Sequence, residues 1–167
     1  MNIDGKVIAE SIYTNLPQQP LKLGILVGEK NPVIDSFVRI KEKAAERLGI
    51  TLVRSELPIG ATTDDAKAAT LALAADTDGI IVQLPLPQTI DTEQVLASIP
   101  PEKDVDGISL SPKVRPPVAE AVREILEQCG VDAKDTKTVV IGSGRLVGKP
   151  CAILLTELGA TVTVLTH

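Results

Sequence analysis

The stretch Leu21-Lys22-Leu23-Gly24-Ile25-Leu26-Val27-Gly28 decides the fold class of this chain. A short apolar run that ends in glycine is typical of a strand covered on both faces in a parallel sheet. Two similar runs follow at residues 51–57 and 79–83. The segments between them have apolar residues three and four positions apart, which predicts helices. Strands and helices that alternate at this pace predict an α/β protein with a three-layer, parallel-sheet N-terminal domain.

The two crossover helices are bounded by clear signals. The first begins near Pro32 and Asp35 and ends at Gly49, since glycine is favoured just after a helix. Its predicted inward stripe consists of Ile34, Phe37, Val38, Ala45 and Leu48. The second follows a turn and N-cap at residues 62–64, where hydroxyl and carboxylate side chains cap helices well. Its predicted inward stripe consists of Ala66, Ala69 and Leu73.

Further elements are predicted on either side of this unit. Short helices are expected at residues 7–16 and 92–99, and a loop rich in proline and charge spans residues 100–117. A loop of this length indicates a functional segment or a domain boundary. A helix follows the loop, and its predicted inward residues are Val118, Val122, Ile125 and Cys129.

The last part of the chain has the pattern of one strand–helix–strand unit. A strand at residues 137–141 leads through a glycine turn into a helix, and a second strand is predicted at residues 160–165. The inward residues of that helix are predicted to be Leu154, Leu155 and Leu158. We expect a first domain at residues 1–112, a loop and linking helix at 113–136, and the first part of a Rossmann-like domain at 137–167.

Composition excludes several classes of function. The chain has 17 Lys and Arg against 22 Asp and Glu, a net charge of −5, which argues against a nucleic-acid partner. With Tyr13 and Phe37 as its only aromatic residues, it lacks the stacking platforms that bind single strands. Neither a signal peptide nor a membrane span is visible. Cys129 and Cys151 lack metal-site spacing and His167 is the only histidine, so we expect no metal and a cytoplasmic location.

The strongest local signal is the sequence VVIGSGRLVGKP at residues 139–150. We interpret it as a buried strand that runs through three glycines into a helix, where backbone N–H groups can approach a pyrophosphate. The candidate cofactor-binding residues are Gly142, Ser143, Gly144, Arg145 and Gly148. A tight turn without a ligand is the alternative interpretation. A Walker A loop is excluded, because its first glycine is replaced by Ser143 and its Ser or Thr by Pro150.

The strand after this turn indicates which nucleotide could bind. A NAD site usually has an acidic residue at the end of the second strand, where it binds the ribose hydroxyls. Here that strand ends in Val164-Leu165-Thr166-His167, without a carboxylate. This favours the phosphorylated cofactor NADP, or no cofactor.

Polar residues near the strand ends are individually weak candidates for a site. Ligands in parallel sheets bind beyond the carboxyl ends of the strands, which nominates residues 28–30 and 83–85. Lys41 could cover apolar surface or serve as an acid or base. Gln83 could satisfy backbone groups, and the KDVDG segment at residues 103–107 could be a simple turn.

Together, however, these segments resemble a known family. FVRIK at residues 37–41, VQLPLP at 82–87, PEKDVDG at 101–107 and the glycine turn at 140–150 occur in this order. The set resembles the bifunctional methylenetetrahydrofolate dehydrogenase/methenyltetrahydrofolate cyclohydrolase family, and the resemblance covers essentially the whole chain. The QLPLP and KDVDG segments are its most specific parts.

The resemblance implies a folate-binding domain followed by an NADP-binding domain. The implied reaction oxidises 5,10-methylenetetrahydrofolate to the methenyl compound with NADP and hydrolyses that product to 10-formyltetrahydrofolate. It also implies that Lys41 is the catalytic lysine, that Gln83 assists it, and that Asp106 holds the pterin. The implied substrate-binding residues are Phe37, Leu84 and Pro85. A lysine near a cationic intermediate tends to lose its proton and can then activate water.

Several positions depart from the family pattern. Phe37 replaces the usual site tyrosine and lacks its hydroxyl, and Ile34 replaces a usual serine. The usual Arg-Ser of the glycine turn reads Ser143-Gly144, with Arg145 close by, and residues 117–121 replace a usual Cys-Thr-Pro-x-Gly segment. These changes bear on the balance of the two activities and on cofactor preference. Lys41, Gln83 and Asp106 match the family pattern.

We expect the Rossmann-like part to be incomplete, because the sequence stops after its second strand. This leaves two hypotheses. The first is an NADP-dependent dehydrogenase and cyclohydrolase that forms a homodimer. The second is an inactive folate- or nucleotide-binding remnant that associates with itself through uncovered apolar strands.

Overall fold

A computed structural model of the chain describes residues 2–29 and 31–166. The helices are α1 (Gly5–Asn15), α2 (Pro32–Arg47), α3 (Thr63–Asp76), α4 (Thr92–Ala97), α5 (Pro117–Gln128) and α6 (Gly148–Glu157). The strands are β1 (Lys22–Val27), β2 (Thr51–Glu56), β3 (Gly79–Gln83), β4 (Lys137–Ile141) and β5 (Thr161–Leu165). The predicted alternation of strands and helices is confirmed.

Strands β1, β2 and β3 form a parallel sheet in the order β2-β1-β3. In the register of this sheet Val27, at the end of β1, pairs with Glu56 of β2 and with Gln83 of β3. The carboxyl ends of all three strands therefore lie at one edge. The predicted parallel α/β fold is confirmed, and the polar residues at the strand ends are neighbours as expected.

Helices cover both faces of this sheet because the central strand is apolar on both. Ile25 and Val27 of β1 pack with Ile34 and Val38 of α2 and with Ile81 of β3. On the opposite face lie Gly24 and Leu26, since side chains alternate along a strand. A Cβ on Gly24 would come within 2.5 Å of the Leu73 side chain of α3. The absent side chain therefore lets α3 approach the sheet closely.

The ends of α2 and α3 follow the capping signals in the sequence. The Asn31 side chain accepts a hydrogen bond from the backbone N–H of Val33, which caps α2. Gly49, with a φ of +70°, follows its end. Thr62 and Asp65 form a reciprocal capping box at the start of α3. Such caps satisfy backbone donors that a helix leaves unpaired in its first turn.

Phe37 is an exception to the predicted stripe of α2. Ile34, Val38 and Ala45 are buried as predicted, but the Phe37 residue is 53% exposed. The buried face of α2 is narrower than the sequence pattern indicated, because small and branched side chains already fill the space above Ile25 and Val27. The prediction that Phe37 points into the core was wrong.

The second sheet consists of β4 and β5, paired in parallel from Lys137↔Thr161 to Ile141↔Leu165. Helices α5 and α6 pack together through a small cluster of Ala119, Cys151 and Leu154, with Val122 against it. Val118 is exposed, although we predicted it to be inward. Ala119 is the buried residue at the start of α5 instead, while Val122 packs against the cluster as predicted.

Among the described residues, helices cover only one face of β4. Val140 and Val162 pack against Ala133, Leu155 and Ala160, while Val139 is 57% and Ile141 is 77% exposed. The interpretation of β4 as a buried strand was therefore wrong for one of its faces. Leu154 and Leu155 of α6 are buried as predicted, whereas Leu158 is exposed.

The chain divides into two compact units. One comprises residues 9–105 and 109–113, and the other comprises residues 1–8, 106–108 and 114–167. Within the described residues, no helix is both long enough and apolar enough to cross a membrane.

Candidate active site

Lys41 and Gln83 are 42 positions apart in the sequence. They meet in the compact unit of residues 9–105 and 109–113, called the first unit below. The Nζ of Lys41 donates a hydrogen bond of 2.9 Å to the Oε1 of Gln83. The Nε2 of Gln83 donates one of 2.9 Å to the backbone carbonyl of Leu84. Both side chains are half-buried. The amide is therefore held at both ends, with its oxygen turned to the lysine.

The fold brings this pair together through two rigid elements. Lys41 lies one turn after the buried Val38 on α2, at the margin of the face that packs on the sheet. Gln83 is the last residue of β3 and pairs in register with Val27. Since α2 packs on the face that contains Val27, the ammonium group reaches the carboxyl end of β3. Neither residue depends on a long loop for its position.

The segment after Gln83 is closely packed against the end of β1. The peptide bond between Leu84 and Pro85 is cis, Leu84 is half-buried and Pro85 is exposed. A Cβ on Gly28 would lie 2.7 Å from the Leu86 Cδ2 and 2.8 Å from Pro87 Cδ. Glycine is therefore required at position 28 so that the LPLP segment can cross the end of the sheet.

The exposed Phe37 ring lies on α2 one turn before Lys41. Residues four positions apart share a helix face, so the ring is adjacent to the Lys41 side of the helix. Its exposure contradicts the predicted core role but leaves an aromatic face open to a ligand. The assignment of Phe37, Leu84 and Pro85 to substrate binding stays a prediction.

Asp106 belongs to the other compact unit, so the structure brings together Lys41 and Gln83 but does not place Asp106 with them. The residue after it, Gly107, has a φ of +65°. A Cβ on Gly107 would come within 2.6 Å of the carbonyl oxygen of Val114 and 2.8 Å of the Pro116 nitrogen. The Asp-Gly turn is therefore tightly constrained by the backbone that follows it.

The glycine turn of residues 142–148 joins β4 to α6. Gly142 has a φ of +94°, and its N–H donates to the carbonyl of Leu165 at 2.8 Å. A Cβ on Gly148 would overlap the carbonyl of Gly142, so both glycines are required by the backbone path. Residues 143–147 are exposed. The exposed turn thus presents accessible backbone next to the N-terminus of α6, which favours an anion.

A concavity lies at the carboxyl ends of β1 and β2, in the compact unit that contains Lys41 and Gln83. It has a volume of about 850 Å³ and is lined mainly by the segments after β1, β2 and β3. Its lining includes Gly28 and Glu29, two residues nominated by the sequence, together with Glu56. The third nominated residue, Lys30, lies outside the described residues. Lys41 and Gln83 do not line it, and the assignment of catalysis to this pair stays a prediction.

Metal chemistry has no candidate site in residues 2–29 and 31–166. Within these ranges, no three His, Cys, Asp or Glu residues are grouped so that they could hold a metal ion. Cys129 and Cys151 are both free thiols, and burial raises the pKa of the Cys151 thiol. Cys151 packs in the α5–α6 core, which is the role of a small apolar residue.

Comparison with known families identifies the chain. The catalytic domain of the tetrahydrofolate dehydrogenase/cyclohydrolase family matches residues 3–106, and its NAD(P)-binding domain matches residues 116–167. The chain belongs to the tetrahydrofolate dehydrogenase/cyclohydrolase family. The two matches together span nearly all of its residues, and the predicted family is confirmed.

Curated relatives of this tetrahydrofolate dehydrogenase/cyclohydrolase chain include the bifunctional protein FolD of Bordetella avium. It is 40% identical over an alignment of 183 positions, which covers 97% of this chain and 64% of that protein. The bifunctional protein FolD of Methanoculleus marisnigri is 35% identical over 182 residues, covering 98% of this chain and 64% of that protein. The chain thus spans about 64% of the length of these relatives.

Solved structures of the family have the same fold. The methylenetetrahydrofolate dehydrogenase-cyclohydrolase of Trypanosoma brucei, complexed with NADP cofactor and inhibitor, superimposes with a TM-score of 0.92 at 31% identity. The match covers 99% of this chain and 64% of that one. The FolD enzyme of Campylobacter jejuni gives a TM-score of 0.84 at 29% identity, covering 97% of this chain and 64% of that one.

For this family member, reasoning from sequence missed groups that act through the backbone. The Leu84 carbonyl that orients the Gln83 amide has no side-chain signal. The requirement for glycine at position 28 arises from contacts with Leu86 and Pro87, which lie far along the chain. The QLPLP motif could have drawn attention to both, since its prolines indicate a chain that turns at once.

Proposed function

We propose that this chain belongs to an enzyme of one-carbon folate metabolism. The proposed reactions are oxidation of 5,10-methylenetetrahydrofolate to 5,10-methenyltetrahydrofolate with NADP, and hydrolysis of the product to 10-formyltetrahydrofolate. The observation that carries this proposal is the 2.9 Å hydrogen bond between Lys41 Nζ and Gln83 Oε1. Membership in the family supports it.

In the proposed hydrolysis Lys41 is the general base. In its neutral form the amine takes a proton from water while the water oxygen bonds to the methenyl carbon. One carbon–nitrogen bond of the ring then breaks, and the departing nitrogen receives a proton. Gln83 orients the amine through its Oε1, and its own orientation is held by the Leu84 carbonyl. A positioned proton-transfer group of this kind accelerates a reaction by about 10²–10⁴-fold.

Asp106, Phe37, Leu84 and Pro85 are proposed to hold the substrate. A carboxylate can accept hydrogen bonds from the N–H groups of a pterin edge. The exposed ring of Phe37 offers an apolar face beside Lys41. Substrate held in a fixed orientation near the base needs less ordering during the reaction.

NADP is the proposed cofactor, and it supplies the hydride acceptor when bound. The residues proposed to hold it are Gly142, Ser143, Gly144, Arg145 and Gly148. The turn fits a pyrophosphate, because the exposed backbone of residues 143–147 leads into the N-terminus of α6. Backbone N–H groups at such a helix start bind anions.

Charge and exposed surface support the proposed partners. We propose a cytoplasmic homodimer that binds neither membrane nor nucleic acid. The net charge of −5 and the aromatic content of 1% support the last point. Exposed Val139, Ile141 and Leu165 on the β4–β5 sheet support self-association, since contiguous apolar surface marks interaction sites. Sedimentation at several protein concentrations tests it, and a concentration-independent monomer contradicts it.

The test of the catalytic proposal compares two lysines on α2. We expect Lys41→Met to slow methenyltetrahydrofolate hydrolysis by about 10²–10⁴-fold, because the base is lost. Lys43→Met is the matched control, since Lys43 lies two positions away and is exposed, and it should hydrolyse at the wild-type rate. Tetrahydrofolate binding, measured by calorimetry, should persist in both variants.

The same experiment separates the two hypotheses. Hydrolysis at the wild-type rate in Lys41→Met refutes the assignment of the base. If the wild-type chain binds tetrahydrofolate without turnover, the second candidate is favoured, namely a folate- or nucleotide-binding remnant that self-associates. The exposed apolar face of β4 is the observation that favours this alternative.

A further inference from the structure

Asp104 is a buried acidic residue two positions before Asp106. It is 3% exposed, one of few polar residues in the core. Its Oδ2 accepts a hydrogen bond of 2.8 Å from the backbone N–H of Ser109. Because this bond joins residues five positions apart, it closes the chain into a turn that contains Asp106. Carboxylates commonly stabilise turns by accepting backbone N–H groups in this way.

The start of this turn is anchored to β3. The backbone carbonyl of Lys103 accepts a hydrogen bond of 2.7 Å from the N–H of Ile80, and Ile80 forms a parallel bridge with Asp104. The Lys103 Nζ donates to the carbonyl of Thr77 at 2.6 Å. A Cβ on Gly79 would lie 2.5 Å from Val105 Cγ1, so Val105 packs directly on the strand. The base of the turn is thus part of the sheet edge.

The far side of the turn is constrained as well. Gly107 has a positive φ, and its Cα faces the backbone of Val114 and Pro116 with no room for a side chain. The Asp104–Ser109 hydrogen bond spans Asp106, and the positive φ of Gly107 restricts the residue next to it, so Asp106 has little conformational freedom. Restricting that freedom before a ligand arrives lowers the entropy lost on binding.

We propose that Asp104 is a positioning residue, whose buried carboxylate closes the turn that presents Asp106 to the substrate. This inference rests on the proposed function, in which Asp106 holds the pterin. Asp104 does not touch the substrate in this proposal. It acts through the backbone N–H of Ser109, which fixes the path of the chain around Asp106.

Tetrahydrofolate binding by the full chain, measured by calorimetry, tests this with a double-mutant cycle. We expect Asp104→Ala and Asp106→Ala each to raise the Kd about tenfold, which is the loss expected for one hydrogen-bonding interaction. In the double variant the Kd should rise no further, because residues that act through one another are not additive. A residue that only stabilises the fold would lower the melting temperature and leave the Kd unchanged.

Two conservative variants complete the design. Asp104→Asn keeps an acceptor for the Ser109 N–H and should bind tetrahydrofolate as the wild type does. Ser109→Ala is the matched control, because it keeps the N–H and removes only the buried Oγ, which has no hydrogen-bond partner in the described structure. If Asp104→Ala does not fold, Asp104→Ser replaces it, since a serine keeps a polar group but is too short to reach the N–H.

The outcomes distinguish the two proposals. If Asp106→Ala raises the Kd and Asp104→Ala (or Asp104→Ser) does not, the positioning role is refuted while the proposed function stands. Additive effects in the double variant also refute the positioning role. If Asp106→Ala leaves the Kd unchanged, the pterin-holding role of Asp106 fails, and the positioning role fails with it.

Discussion

The two sheets of this chain are built from similar strands but are buried differently. The central strand of the first sheet, β1, reads KLGILV, and the first strand of the second, β4, reads KTVVI. Helices cover both faces of β1, so Ile25 and Leu26 are fully buried. Only one face of β4 is covered, and Ile141 is 77% exposed. The apolar sequence of a strand therefore does not determine its burial, which depends on which elements pack against it.

The candidate catalytic residues Lys41 and Gln83 lie on elements of the better-covered sheet. Lys41 and Gln83 are positioned by α2 and β3, both packed around buried Ile25, Val27 and Ile81. The glycine turn, by contrast, leaves its residues 143–147 exposed. Rigid elements can hold a proton-transfer group at a fixed distance, whereas an exposed turn can adjust to a ligand's phosphates.

The largest expected difference between the two sheets concerns the loss of one aliphatic side chain. Leu26→Ala should reduce the free energy of unfolding by about 2–5 kcal/mol, because it leaves a cavity between β1 and its neighbours. Ile141→Ala should change it by less than about 0.5 kcal/mol, since most of that side chain is already in solvent. Urea unfolding followed by circular dichroism measures both. Equal losses would show that β4 is covered in solution.

Adding a methyl group should also destabilise the first sheet more than the second unit. Gly24→Ala should reduce the free energy of unfolding by about 1–3 kcal/mol, because the new Cβ overlaps the buried Leu73 side chain. Gly144→Ala is the control, since no atom lies within 4 Å of its Cβ position. We expect its stability to change by less than about 0.5 kcal/mol. A stable Gly24→Ala variant would mean that α3 can move away from β1 at little cost.

Hydrogen exchange should rank the strands without any mutation. We expect the amides of Ile80–Val82 in β3 to exchange at least about tenfold more slowly than those of Val139–Ile141 in β4, because exchange follows local burial and packing. Mass spectrometry of peptides from both segments measures the rates. Slower exchange in β4 would contradict the comparison on which this prediction rests.

The smallest effect is expected at a surface ion pair. The Arg47 guanidinium donates two hydrogen bonds of 2.7 Å to the Glu10 carboxylate and lies 4.0 Å from the Tyr13 ring centroid. These hydrogen bonds lower the pKa of Glu10 below its ordinary value. The pair therefore stabilises the fold above the unfolded-state pKa of the carboxyl, and this contribution is lost as the pH falls through the lowered value.

Arg47→Gln tests this pair. The pKa of Glu10, followed by NMR titration, should rise toward its ordinary value, and the melting temperature at neutral pH should fall only slightly, because exposed ion pairs contribute little. Lys43→Gln on the same helix should change neither. The second unit has a similar arrangement, in which hydrogen bonds from Arg123 and Arg115 lower the pKa of Glu120. If loss of the arginine partner raises the pKa of only one of the two carboxyls, Glu10 or Glu120, the ion pairs of the two units are not equivalent.

Much of the first sheet could be predicted from sequence because its signals are local. Caps at Thr62 and Gly49 and the buried run of β1 depend on neighbours within a few residues. The errors in the helices have one common cause. Phe37, Val118 and Leu158 were predicted to be inward from helical spacing, yet all three are exposed. Spacing gives the apolar side of a helix but not the width of the groove that receives it.

The candidate site, too, could be predicted only in part from the sequence. Lys41, Gln83 and the KDVDG turn could be found from motifs, since these motifs occur in the order typical of the family that the chain resembles. Their geometry could not be found, because the Lys41–Gln83 bond joins positions 42 apart and the closure of the turn depends on a buried Asp104. Whether Asp106 acts with the pair stays a prediction for the binding experiments above.

The sequence by itself determined the α/β class, the parallel pairing of strands, the family and the candidate residue types for catalysis. These follow from local periodicity, turn chemistry and motif order, which do not depend on distant contacts. Only the tertiary structure decided which face of each element is buried, why Gly28 must lack a side chain, and how the Gln83 amide is oriented. Those properties depend on atoms brought together from distant positions, and packing density allows them only one arrangement.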